Sequence, residues 1–178
     1  RAGYLKVFQE GEVRDYPLDI QHRDGHITSV LYNASVYRDA EGKIVGVFAA
    51  ARDITERRQA EKVLHLLSSI VQYSNDAIVG KTLDGKITSW NRGAEKIYGY
   101  REDEVIGKLI TILFPDERKA EELQIIDKLS RGEFIEHYVT ERKRKDGRMI
   151  SVSLTISPIK DTEGRIVGAS TITRDITE

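Results

Sequence analysis

Two hydrophobic rhythms run along this chain. Ile150, Val152, Leu154 and Ile156 alternate with Ser151, Ser153, Thr155 and Ser157, the period-two pattern of a strand with one buried face. Lys145-Asp146-Gly147-Arg148 precedes this run and Asp161-Thr162-Glu163-Gly164 follows it. Both stretches supply residues that tolerate the left-handed backbone of tight turns. Strand formers at 134–143 and 166–173 flank them, so residues 134–173 predict three antiparallel strands. Upstream, residues 77–81 and 87–90 read as strands joined by a turn at Asp84-Gly85. Asn91 is then the expected N-cap of a short helix that carries Ala94, Glu95 and Ile97 and is closed by Gly99. A second short helix is expected over 101–106, ended by Gly107. Pro115, Asp116 and Glu117 mark the start of a longer helix. It is expected to run to about Ser130, with Leu123, Ile126 and Leu129 along one side. Two strands, helices and three further strands predict an α+β domain, an antiparallel sheet with helices on one face.

The chain repeats itself. Shifted by 122 positions, residues 24–56 fall on 146–178 without a gap, so that Asp24 meets Asp146. Ile44-Val45-Gly46 recurs as Ile166-Val167-Gly168, and Arg52-Asp53-Ile54-Thr55-Glu56 as Arg174-Asp175-Ile176-Thr177-Glu178. The period is that of a small domain rather than of a solenoid repeat. Asp53 and Thr55 are N-cap residues, and Glu56 follows Asp53 by three positions as in a loose capping box. A helix free of proline and glycine is therefore predicted from Thr55 to about Ser74. Its Ala60, Val63, Leu67 and Ile70, broadened by Leu64 and Val71, form an apolar stripe that packs on its own domain or on a partner chain as a coiled coil. Asp175 and Thr177 occupy the same places in the second copy, and a helix is expected after them. The first copy shows only the end of the long helix, around residues 4–8, and lacks the two opening strands and the short helices. Its three strands leave an open edge and an uncovered apolar face. It is expected to complete itself by pairing with another chain or through residues preceding Arg1. The resulting division is 1–56, a partial domain; 57–74, a helical linker; and 75–178, a complete domain.

Composition narrows the chemistry. Among 178 residues, 28 Lys and Arg face 29 Asp and Glu, for a net charge of −1. Nothing global draws the chain to nucleic acid or to an acidic membrane surface. The basic run Arg142-Lys143-Arg144-Lys145 reads as a solvated hairpin end. The absence of cysteine excludes disulfides, thiolate zinc sites and cysteine nucleophiles. No apolar run approaches the roughly 18–20 residues of a membrane helix. This segment is expected to be cytoplasmic and not to touch a membrane, with a parent protein open to anchoring elsewhere. His22, His26, His65 and His137 form no metal-type pair on a helix, so no metal site is expected. No phosphate-binding glycine motif and no nucleophile–base constellation is present, so the segment reads as non-enzymatic.

Several motifs together resemble the PAS family. They are Ser74-Asn75-Asp76-Ala77-Ile78, Asp84-Gly85-Lys86-Ile87, Trp90-Asn91-Arg92-Gly93-Ala94-Glu95, Tyr98-Gly99-Tyr100 and Glu104-Val105-Ile106-Gly107-Lys108. Lys145-Asp146-Gly147, the stretch from Asp161 to Gly168, and Asp175-Ile176-Thr177 resemble the family's C-terminal PAC motif. The resemblance covers residues 70–178 in full and 1–56 as a C-terminal half. It implies a five-stranded antiparallel sheet with flanking helices, preceded by a partial PAS C-terminal half and a linker helix. It further implies a tandem sensory module in signal transduction, with a two-component sensor histidine kinase as the parent and a downstream effector domain. Homodimerisation is expected through the linker helix, the incomplete first unit, or both. Asp53, Thr55, Asp175 and Thr177 would relay the signal from the last strand of each copy to an output helix. Trp90, Asn91, Ile97, Leu154 and Ile156 are the candidate ligand-pocket residues. The ligand is expected to be none or an unidentified small molecule. Non-covalent flavin is the alternative, as a redox sensor, beside a purely structural dimerisation spacer. The haem-binding members carry an axial histidine on the long helix, and residues 117–130 contain none, which argues against b-type haem.

Overall fold

The computed structural model describes residues 2–177. The chain forms two compact units that divide between Leu66 and Leu67. In the first, helix α1 (Ala2–Glu10) precedes strands β1 (Glu12–Gln21), β2 (Ile27–Arg38) and β3 (Ile44–Asp53). The strands form an antiparallel sheet in the order β1-β2-β3. Val7 of α1 packs on Val13 and Ala34 to make a small core, edged by Tyr16, Tyr32, Val36 and Val47. Phe48 and Val45 on β3 stay exposed. Helix α2 (Thr55–Gln72) follows, 18 residues long with no buried residue.

The second unit contains β4 (Ala77–Thr82), β5 (Ile87–Trp90), α3 (Arg92–Tyr98), α4 (Glu102–Val105), α5 (Glu121–Ser130), β6 (Ile135–Lys143), β7 (Met149–Lys160) and β8 (Ile166–Asp175). Its five strands pair antiparallel in the order β5-β4-β8-β7-β6. The alternation over 150–156 does what period two requires: Ile150, Val152, Leu154 and Ile156 are all buried. They share one core with Trp90 of β5 and with Ile97, Val105, Leu113, Phe114, Ile125 and Leu129 from the helical side. Asn91 caps α3 by accepting the Ala94 N–H at 2.9 Å, and Gly99 closes it in the left-handed conformation. Gly93 must be glycine for a different reason. A Cβ there would lie 2.2 Å from the backbone oxygen of Asp76.

The duplication extends further upstream than the sequence identities. Val30 pairs with Asp53 as Val152 pairs with Asp175. Each copy has a bulge in its first sheet strand, between Val13 and Tyr16 and between Ile135 and Tyr138. Asp15 and His137, one in each bulge, share a positive φ of 47° and 51°. Non-glycine residues rarely adopt this conformation, so its recurrence at matched positions shows one local design used twice.

Two expectations fail in the long helix. Residues 115–130 do not form a continuous helix: Asp116–Arg118 is a 3-10 turn, and the α-helix begins at Glu121. Nor does Leu123 face inward, being 75% exposed, whereas Glu122, Ile125 and Leu129 are buried. The inward stripe keeps Leu129 but reaches it through Glu122 and Ile125 rather than Leu123 and Ile126, because its first member is a glutamate, which an apolar periodicity does not register.

Candidate functional site

Two features of the second unit and one shared by both units bear on function. The first is the cup between the five-stranded sheet and its helices, whose interior holds charged side chains that the candidate pocket residues did not include. Lys81 on β4 points inward, its side chain 2% exposed, and donates from Nζ to Glu122 Oε1 of α5 at 2.5 Å. Glu122 Oε2 is buried and has no hydrogen-bond partner. Burial lowers the Lys81 pKa, the Glu122 carboxylate opposes that, and Arg142 lowers it further. Arg142 on β6 is also buried and lies over the Phe114 ring at 3.8 Å from its centroid. Its Nη1 donates to Glu121 Oε2 at 3.1 Å and to the Glu141 carbonyl at 2.8 Å. Burial pushes the Glu121 carboxyl up, but hydrogen bonds from Arg118, Arg142 and Thr140 hold it below its ordinary value. The first turn of α5 is thus pinned to β4 through Glu122 and to β6 through Glu121. Arg142 corrects the reading of the basic run as a solvated hairpin end: its first member is a core residue. Lys145, from the same run, pairs with Glu104.

These charges border a cavity of about 20 Å³ lined by Val79, Lys81, Tyr98, Glu122, Ile125, Arg142, Leu154, Ile156 and Thr173, among others. The Tyr98 hydroxyl donates to Thr173 Oγ1 at 3.0 Å, and burial pushes its pKa up to about 12. Of the five residues put forward as pocket residues, Leu154 and Ile156 line this cavity and Trp90, Asn91 and Ile97 do not. Trp90 is buried, with its Nε1 donating to the Tyr100 carbonyl at 3.0 Å. Asn91 joins α2, β4 and α3 through its side-chain amide, and Ile97 belongs to the core. Pockets for drug-sized ligands measure roughly 300–1,000 Å³. The cavity is smaller by an order of magnitude, so a flavin does not fit this interior. Among the described residues no cluster of His, Asp and Glu is arranged to hold a metal ion. His22 and His26 stack on each other at 3.7 Å.

The shared feature is the corner at which the last strand of each copy ends. Asp53 Oδ1 accepts the Thr55 N–H at 2.8 Å, and Thr55 Oγ1 accepts the Ser29 N–H at 2.9 Å. The Ile54 N–H donates to the Ser29 carbonyl at 2.8 Å. The second copy repeats each contact. Asp175 Oδ1 accepts from Thr177 N at 2.9 Å, Thr177 Oγ1 from Ser151 N at 3.1 Å, and Ile176 N donates to the Ser151 carbonyl at 2.9 Å. The threonine therefore staples the exit of the last strand to the start of its neighbour. The backbone N–H of Thr55 holds the exposed Asp53 carboxyl below its ordinary pKa. Arg58, one turn into α2, reaches back to Asp19 Oδ1 at 3.3 Å.

The family model of the PAS domain matches residues 2–56 and 75–178. The chain belongs to the PAS family. It is 35% identical over 109 residues to a phytochrome of Picea abies, covering 57% of this chain and 10% of that protein. It is 30% identical over 109 residues to the signal transduction histidine-protein kinase AtoS of Escherichia coli, covering 61% of this chain and 17% of that protein. The chain thus spans a small fraction of the curated relatives it matches. The crystal structure of the PAS domain of a protein from Colwellia psychrerythraea superposes with a TM-score of 0.59 at 29% identity, covering 65% of this chain and 98% of that one. An RNA-binding light-oxygen-voltage receptor shares the fold over 99% of this chain and 83% of that one, with a TM-score of 0.59 at 12% identity. Among the described residues no helix is long and apolar enough to cross a membrane.

Proposed function

We propose that this PAS segment is the sensory and regulatory part of a longer signal-transduction protein, with a sensor histidine kinase as the parent, and that it catalyses no reaction itself. The cup of the second unit receives a signal, and the strand-end corners pass it to the helices that follow them. The observation that carries this reading is the corner built twice, Asp53–Thr55–Ser29 and Asp175–Thr177–Ser151, with the same donors and acceptors. A change in the sheet alters the distance between the ends of two neighbouring strands. The threonine staple turns that into a new direction for the helix, which need only bias two arrangements of it. Replacing Asp53 and Thr55 by alanine in the parent protein is expected to uncouple the kinase from its stimulus while both units stay folded. Unchanged signal transfer in that double variant refutes the relay.

A second copy of the chain is the partner that the α2 stripe supports. Val63, Leu64, Leu67 and Ile70 are each more than half exposed, an arrangement suited to a coiled-coil contact. Sedimentation should show a dimer that Leu67→Glu converts to monomer, and a Leu67→Glu dimer excludes this contact. The small cavity favours one further reading, a dimerisation spacer whose cup is closed. A thermal-shift screen in which no small molecule raises the melting temperature would support the spacer over the sensor.

A further inference from the structure

We propose that the cavity between Lys81 and Glu122 is a binding site for one neutral hydroxyl, carried by water or by a small alcohol, which accepts from Lys81 Nζ and donates to Glu122 Oε2. The proposal rests on the reading of the cup as a receiving site and names the chemistry received. Three observations point to it.

The first is hydrogen-bond satisfaction. The Lys81 ammonium has three N–H donors, and among the described residues its acceptor is Glu122 Oε1 alone. Glu122 Oε2 has no donor, although the side chain that carries it is only 10% exposed. Buried polar groups are normally paired with protein or with ordered water. A group that both accepts and donates completes the two residues at once, and a hydroxyl is the smallest such group. The second is size. A single water needs about 10–15 Å³ of cavity, and about 20 Å³ is present. The third is charge. Two cations, Lys81 and Arg142, and two anions, Glu121 and Glu122, balance in this interior. A charged guest would add an uncompensated buried charge, whereas a neutral one would not. Val79, Ile125, Leu154 and Ile156 supply apolar walls that would leave the space dry were it not for these polar groups.

The test is methyl-detected NMR of the whole chain titrated with methanol, formate and methylammonium, three probes of similar size and different charge, together with a high-resolution crystal structure grown without alcohol. Saturable shifts of the Val79, Ile125 and Leu154 methyls with methanol alone identify an alcohol as a source. A water peak within hydrogen-bonding distance of Glu122 Oε2, with no methanol response, identifies water as the sole source. In Lys81→Met/Glu122→Leu, guest affinity should fall more than tenfold and the water peak should vanish. Val79→Ile, which fills the cavity with one methyl group and keeps the ion pair, should do the same should the double variant not fold. An empty site with no methanol response, shifts caused by formate or methylammonium, or a guest retained in either variant overturns the proposal. Such a failure leaves the relay reading intact, since that is judged by Asp53 and Thr55 in the parent.

Discussion

Replacing Lys81 by methionine, a side chain of similar length, removes a buried cation and leaves the Glu122 carboxylate without its ion-pair partner among the described residues. Both side chains of the pair are at least nine-tenths buried, so a single guest hydroxyl in the cavity cannot replace the full hydration of the stranded carboxylate. Breaking a buried pair in this way costs about 3–5 kcal/mol, a large part of the roughly 5–15 kcal/mol that holds a typical domain together. Replacing both partners, as in Lys81→Met/Glu122→Leu, removes the two charges with their attraction and should restore stability to within about 1 kcal/mol of the natural chain. Trp90, the only tryptophan, is buried in the second unit, so its fluorescence during urea unfolding follows that unit alone. The expected pattern is a low midpoint for Lys81→Met, a low midpoint for Glu122→Leu, and a near-normal midpoint for the double variant. A loss below about 1 kcal/mol for Lys81→Met would show that the pair is hydrated and of the exposed kind, and would refute a buried Lys81–Glu122 pair.

Tyr98 makes a prediction about alkaline pH. Its pKa is raised by burial to about 12 from 10.0, so the folded state keeps a proton that the unfolded state loses. The stability this confers is complete below pH 10 and is lost as pH rises toward 12, by about 2–3 kcal/mol in all. Tyr98→Phe should flatten that part of the stability curve relative to the natural chain, and an unchanged slope would mean that the phenol is not buried as described. Two glycines should separate steric cost from conformational cost. Gly93→Ala drives a Cβ into the Asp76 carbonyl and should cost about 3 kcal/mol or more. Gly107→Ala, at φ +79° with nothing within 4 Å, should cost only about 1–2 kcal/mol. Equal costs in Trp90-monitored unfolding would contradict this difference.

The strands, turns and α2 were legible because each depends on local rules: alternation over 150–156, Asp-Gly turns, and a proline-free run after Thr55. The Asp–Ile–Thr corner was legible because it occurs twice. Its partners were not, since Ser29 and Ser151 lie far upstream in sequence and contribute backbone groups that no motif reveals. The polar cup was illegible for a physical reason. Lys81, Glu122 and Arg142 are charged residues in the core, each admitted there by a partner on another element, and pairing across elements leaves no periodic trace. The same blindness placed Leu123 inside α5 and Arg142 in solvent. One signal was available: Arg142 sits at an even spacing from Thr140 and Tyr138 along β6, on a strand whose alternate positions face the interior.

Asn91 was read as a helix cap, and it is one, but its side chain reaches further. Oδ1 also accepts the Ile78 N–H of β4 at 2.8 Å, and Nδ2 donates to the Val71 carbonyl in the last turn of α2 at 2.8 Å and to the Asp76 carbonyl at 3.0 Å. One amide therefore knots the arriving helix, the strand beside β8 and the first helix of the cup into a single joint. The end of α2 cannot swing without tugging on β4, and so on the strand carrying Lys81. An aspartate at this position would keep both acceptor contacts and lose both donor contacts, which would free the hinge from the wall it now pulls on.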